Sequence, residues 1–398
     1  MHATHLLNNH LSRMCQGIHK KRMTALMDVV QACVQGKKLS VTGLGRAIKN
    51  AIFEKHNIKR ADRLIGNPAL NQERGLIYRA LARWIIGQQA QPVILVDWSD
   101  LSADRHYHVL RASLPVGGRA LTLYDEVHPH AKLGNPGVQK RFLKTLSNLL
   151  PETCCPIIVS DAGFRNPWFR AVLAMGWDFV GRVGGHTLIR PQGKADWSRV
   201  EPVFDTATTR PKYLGYIDLA KKGSLACHAY LVRKKKQGRA KKTVFGQRCT
   251  SKYSEKNAHR ERTPWLIVTS LEGGTKMTKR VMNLYKTRMQ IEEGFRDFKN
   301  SRWGFSLDEA RAYATYRYEN LLLVGALATF AVWLVGKRAE IKNQHRHYQA
   351  NTVKSRSVLS IFYLGCRVLE KERPDFRETD FKQAIRALRK QFEGQCYA

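Results

Sequence analysis

The sequence predicts a mixed α/β protein, with a sheet-bearing central region flanked by helical regions at both ends. Three observations predict it. Residues 1 to about 88 lack strand-like alternation and carry apolar residues at helical spacing. From about residue 91, short β-rich runs follow one another, at first in succession and then separated by helical stretches. Beyond about residue 336 the helical pattern returns, rich in basic residues. The expected organisation is a helical region over 1–88, an α/β core over 89–335 with a β-rich insertion at about 184–264, and a helical C-terminal region over 336–398.

The elements are justified in chain order. QACVQGKKLSVTGLGRAI has a Ser/Thr-Gly break between two apolar-periodic segments, which predicts a helix-turn-helix-like arrangement. HNIKRADRLIGNPAL clusters Lys59, Arg60 and Arg63 before a Gly-Asn-Pro stop. Any one of these cations suits a solvated helix face, but the segment as a basic unit suits DNA. VILVDWSD, HYHVLRASLPV and RALTLYDEVHP read as three consecutive strands, with Gly117 and Gly118 suited to a hairpin turn. The helical stretch VQKRFLKTLSNLL precedes the strand PIIVSD, and PWFRAVLAMGW precedes the strand DFVGRVG. Three antiparallel strands followed by strand–helix–strand predict a mixed sheet. The insertion holds the strands LGYIDLA and LACHAYLVR and the run RKKKQGRAKK, seven of whose ten residues are basic. That run is expected to be a loop on a phosphate backbone, the alternative being a self-repelling linker. PWLIVTSL is the last expected strand, and MTKRVMNLYKTRMQIEEGFRDFK is expected to form one helix.

Charge narrows the function. Across 398 residues, 68 Lys and Arg stand against 32 Asp and Glu, a net charge of +36. An excess of that size points to a polyanion, either nucleic acid or an anionic membrane surface. The longest apolar run, 321–336, falls short of the roughly 18 residues that span a bilayer and reads as a buried helix. The N-terminal stretch has no continuous apolar core of a signal peptide, so the protein is expected to stay in the cytoplasm. Eight cysteines without a CxxC pair predict free thiols rather than a disulfide framework or a zinc site.

The residues that point to chemistry are acidic and few. Asp97 follows the apolar run VILV, and Asp161 follows IIVS. Alone, each suits a turn or a helix cap. Together with Glu292 they make the oxygen-ligand set that two-metal phosphoryl transfer requires, since divalent cations relieve the repulsion among clustered carboxylates. On one helix, Tyr285, Arg288, Glu292 and Lys299 fall within an arc of roughly 60°. Arg288 and Lys299 then suit phosphates, and Tyr285 either hydrogen-bonds a phosphate or packs the helix onto the core. Glu293 is turned about 100° away, and Asp100 suits the start of the next turn.

The spacing Tyr285-(2)-Arg288-(3)-Glu292-(6)-Lys299 resembles the YREK signature of the insertion sequence 4 family of bacterial DDE transposases. VDWSD and IVSDAGF resemble that family's first and second catalytic aspartate motifs, and motif order and length are similar to its Tn-ten branch. The resemblance implies a ribonuclease-H-like core in which the strands bearing Asp97 and Asp161 lie side by side. It implies two Mg2+ ions, replaceable by Mn2+, held by Asp97, Asp161 and Glu292. It further implies a bacterial, nucleoid-associated enzyme acting as a homodimer on paired terminal inverted repeats and on target DNA, through nicking, hairpin formation, hairpin opening and joining. Trp265 resembles the family's aromatic that stacks on a flipped base; a core tryptophan is the other reading. Two competing functions are a ribonuclease-H-like DNA nuclease without strand transfer and a catalytically silent DNA-binding repressor.

Overall fold

The computed structural model describes all residues except 1–2, 103, 235–262, 351, 354, 372–376 and 398; for 392–397 only the backbone is described. The chain divides into two units, Met1–Pro156 with Thr287–Tyr397, and Ile157–Lys286.

In the first unit the N-terminal segment forms α1 (Ala3–Met14), α2 (Lys20–Gly36), α3 (Val41–Ala47), α4 (Glu54–Ile65) and α5 (Pro68–Ile86). The expected break between α2 and α3 exists but lies earlier than the Thr42–Gly43 pair, which is inside α3. Lys37 ends α2 in the left-handed region, and the Ser40 hydroxyl accepts from the Gly43 amide to start α3. A capping hydroxyl satisfies one of the first-turn donors that a helix leaves open, so the start follows the serine and not the glycine. The Gly-Asn-Pro stop behaves as expected: α4 ends at Ile65, the Asn67 carboxamide oxygen accepts from Ala69 and Leu70, and Pro68 opens α5.

Three antiparallel strands follow, β1 (Val93–Asp100), β2 (Tyr107–Pro115) and β3 (Ala120–Pro129), with β2 in the middle. Gly117 and Gly118, at φ of 70° and 88°, make the β2–β3 turn. A two-residue turn matching strand twist needs positive φ at both positions, which glycine adopts without strain. Then come α6 (Pro136–Leu149) and, after the second unit, α10 (Met289–Lys299), α11 (Thr315–Ile341), α12 (Ile361–Lys371) and α13 (Glu378–Tyr397).

The apolar run 321–336 is the middle of α11, and every residue of it is buried. A helix apolar around its whole circumference must be covered on all sides. α11 meets that demand by packing against α1, α2, α4, α5, β3, α12 and α13. Its one buried acid, Glu319, accepts from Arg74 at 2.9 Å, Asn71 at 2.8 Å and the Val127 amide at 3.2 Å, which ties α5 and β3 to it. At the α11–α12 crossing, Gly336 and Gly365 face each other's backbone: a Cβ on Gly365 would lie 2.1 Å from the Val332 carbonyl oxygen, and one on Gly336 1.9 Å from that of Ile361.

The second unit is a mixed sheet. β4 (Ile157–Ser160) and β5 (Asp178–Val183) are parallel, joined through α7 (Asn166–Leu173). β5 pairs antiparallel with β10 (Trp265–Thr269), which continues to β9 (Leu225–Val232), β8 (Lys212–Leu219), β6 (Leu188–Pro191) and β7 (Ser198–Arg199). β6, β7 and the short α8 (Glu201–Asp205) had no clear sequence pattern, being too short for periodicity to register. α9 (Thr278–Lys286) packs on β4, β5 and β10. Most of the basic run RKKKQGRAKK lies outside the described residues.

Candidate active site

Asp97 lies inside β1 and not at its end. β1 runs on through Trp98, Ser99 and Asp100, because these residues find ladder partners in Leu110, Val109 and His108. Strand alternation therefore puts Asp97 and Ser99 on one face. Asp100 closes the strand, where it pairs with Arg105 at 3.2 Å and His108 at 3.0 Å.

The expected single helix is two. α9 ends at Lys286 and α10 starts at Met289, with Thr287 and Arg288 in a turn. There Gln290 donates to the Thr287 carbonyl and Ile291 to that of Arg288, the tight three-residue spacing that replaces α-helical bonding. Thr287 is the local weak point, β-branched and with a hydroxyl that competes for backbone partners.

α10 packs on β1, β2 and β3 of its own unit. Arg288 comes with it: one guanidinium nitrogen stands 3.6 Å from an Asp97 oxygen and 2.5 Å from a Glu292 oxygen. Asp97 and Glu292, separated by almost 200 residues of chain, are thus bridged by one cation. At the other end of α10 the Lys299 ammonium donates to the Ser99 hydroxyl at 3.1 Å. Burial draws that ammonium below its ordinary pKa; Asp308 and Asp100 oppose the shift and Arg111 adds to it. Four of the expected residues, Asp97, Arg288, Glu292 and Lys299, therefore meet between β1 and α10.

The sequence reading missed what lies beneath them. Arg111 on β2 is the cross-strand partner of Asp97, and Asp125 on β3 is the partner of Arg111. Arg111 and Asp125 form a bidentate pair at 2.7 and 2.9 Å, with Asp125 wholly buried. The flat guanidinium also lies 4.7 Å from the ring centre of Phe295 and 4.2 Å from that of Phe298, both on α10. On another side of α10, buried Asp297 accepts from Arg119 at 2.6 Å. Burial pushes its carboxyl up to about 6, against the pull of Arg119.

The remaining expected residues belong to the second unit. Asp161 directly follows β4, half-buried, its carboxylate accepting from the Gly163 amide at 2.7 Å. That is the turn-forming contact typical of a post-strand aspartate, and it leaves a carboxylate oxygen for other partners. Tyr285 is buried on α9, edge-on to the Trp265 ring at 4.9 Å. Trp265 is itself 8% exposed, with Lys234 4.1 Å and Arg182 6.0 Å from its ring centre. The two aromatics pack together on the β10 side of α9, with cations over the indole.

Elsewhere, Arg60 of the N-terminal basic cluster pairs with Asp28, while Lys59 and Arg63 are exposed. Cys15, Cys33, Cys154, Cys155, Cys227 and Cys366 are free thiols. Among the described residues, no three His, Cys, Asp or Glu side chains form a ready metal cluster. Asp97 and Glu292 nevertheless suit a hard divalent cation, because they offer oxygen donors and already converge on a positive charge.

A family model of the transposase DDE domain matches residues 88–328, from just before β1 into α11. No curated protein matches the chain. The match covers more than half of the 398 residues and contains every candidate acid. The chain belongs to the transposases with a DDE domain, a family of ribonuclease-H-like enzymes that act on DNA.

Proposed function

We propose that this transposase is of the insertion sequence 4 type and cuts its element's ends and joins them to target DNA by phosphoryl transfer at Asp97, Asp161 and Glu292. The observation that carries the reading is the convergence of Asp97 and Glu292 on one guanidinium, with Lys299 held nearby through Ser99. Asp161, directly after β4, is the third carboxylate in the proposal. These three would hold two Mg2+ ions, with Mn2+ able to substitute, and such ions activate the attacking water or 3′-hydroxyl and neutralise the leaving 3′-oxygen.

The chain's own groups set up the reaction. Arg288 exchanges its carboxylates for a phosphate of the bound end, freeing Asp97 and Glu292. Lys299 supplies a second positive charge along the backbone, at a position and not a base. Tyr285, which packs on Trp265, hydrogen-bonds a phosphate near the cut, and Trp265 stacks on an extruded base. Water attacks a phosphorus at the element's end and the bond to the 3′-oxygen breaks, leaving a 3′-hydroxyl. That hydroxyl attacks a phosphorus of the opposite strand, expelling the flanking DNA's 3′-oxygen and closing a hairpin; a second water opens the hairpin and restores the 3′-hydroxyl, which joins target DNA by expelling a target 3′-oxygen. The helices over 1–88 hold the terminal repeat, and α12–α13 form the contact of a homodimer on paired ends. The protein works at the nucleoid in the cytoplasm of a bacterial cell.

Labelled element-end DNA tests this with the wild-type chain and with Asp97→Asn, Asp161→Asn and Glu292→Gln. The wild type should yield hairpin and joined products, and each variant should lose cleavage while keeping end binding within about twofold. Near-normal cutting by any variant would refute the assignment of that carboxylate. Cleavage without hairpin or joined products would indicate a nuclease, and no metal-dependent nicking under any condition a silent repressor.

A further inference from the structure

We infer that Arg111 is a positioning residue for the proposed active site: clamped by Asp125 and sandwiched against Phe295 and Phe298, it sets the spacing between Asp97 and Glu292. The inference rests on the reading of those two carboxylates as metal ligands.

Three observations carry it. First, Asp97, Arg111 and Asp125 are successive cross-strand partners on β1, β2 and β3. Directly opposed residues in antiparallel strands project from the same face, so the three form an acid–base–acid row under α10. Second, Arg111 is 2% exposed and held in one orientation by two parallel hydrogen bonds to Asp125. A bidentate pair fixes the plane of the guanidinium and not only its position. Third, that plane is what α10 lies on, through Phe295 and Phe298. Glu292 is one turn before Phe295, so the docking of these rings determines where the Glu292 carboxylate is delivered over β1.

Lysine cannot reproduce this. Its ammonium is a point charge without a flat face, unable to pair bidentately with Asp125 while stacking on two rings. An Arg111→Lys chain keeps the buried charge and loses the geometry. The double substitution Arg111→Met with Asp125→Leu removes both buried charges, which restores packing without restoring the flat clamp.

Mn2+ binding to the full chain, read from the loss of the free-ion electron paramagnetic resonance signal, tests the inference beside thermal melting and element-end binding. Arg111→Lys should weaken Mn2+ binding about tenfold or more, with end binding within about twofold of wild type. Its cleavage should recover in part at high Mn2+. The double variant should melt close to wild type yet keep the weakened Mn2+ binding, which a purely structural role would not produce. Wild-type Mn2+ affinity in the Arg111→Lys chain, or its return together with stability in the double variant, would overturn the inference. A wild-type chain that binds no Mn2+, or binds it equally after Asp97→Asn and Glu292→Gln, would instead overturn the reading of the site and this inference with it.

Discussion

Replacing Arg288 by glutamine isolates the electrostatic lock between β1 and α10. In the free protein its guanidinium neutralises both Asp97 and Glu292, so any divalent cation entering there must displace it. The two contacts differ in worth. Glu292 is 43% exposed and four residues beyond Arg288, which caps the helix that carries it, a geometry that contributes about 0.3–0.5 kcal/mol in water. Asp97 and Arg288 are only 12% and 13% exposed, so their attraction is less screened and contributes about 1–2 kcal/mol despite the 3.6 Å separation. Removing the guanidinium therefore lifts a penalty of about 2 kcal/mol from cation binding, equivalent to roughly 30-fold. Titration of Mn2+ in the absence of DNA should show Arg288→Gln binding the ion tighter by that factor, although its DNA cleavage falls. Element-end DNA should tighten Mn2+ binding to the wild type, by drawing Arg288 to a phosphate, and should have little effect on the variant. Equal or weaker Mn2+ binding by Arg288→Gln would refute the competition.

Two further outcomes follow from the packing of α10 and α11. Asp297 has a folded-state carboxyl pKa of about 6, above its ordinary 3.8, so the folded protein holds this proton more tightly than the unfolded chain. Its effect is to stabilise the fold as pH falls through 6, fully below the unfolded value, and to cost stability above 6. Between pH 7.5 and 4.5 the wild type should gain about 2 kcal/mol relative to Asp297→Asn in urea unfolding, and a flat difference between the two would contradict it. At the α11–α12 crossing, Gly365→Ala would drive a Cβ into the Val332 carbonyl, a backbone atom that no rotamer change can move aside. A loss of about 3 kcal/mol is expected from this overpacking, and an unchanged urea midpoint would show that the helices do not cross so closely.

Much of this protein was legible in its residues. Apolar alternation marked β1 to β3, the strand–helix–strand passage and β10, because burial of one face leaves its period in the sequence whatever the partner is. The uniformly apolar 321–336 run could only be a covered helix, and the spacing around Glu292 with the two post-apolar aspartates pointed to a DDE transposase, as the domain match shows. Tertiary structure decided the rest. Counting back from the Gly117–Gly118 turn would pair Arg111 with Tyr124, as Ser113 pairs with Thr122 and Leu114 with Leu121. An irregularity between Ala112 and Ser113 shifts the register by one residue and brings Asp125 opposite Arg111 instead. A one-residue slip exchanges the faces of a strand, so the buried ion pair beneath α10 depends on a bulge with no clear local signature. The break at Thr287–Arg288 is of the same kind: helical spacing continues through it, and only the packing of α9 and α10 on different strands shows where the helix divides. Periodicity records that a side chain is buried, whereas the groups it meets there depend on registers and junctions set by the whole fold.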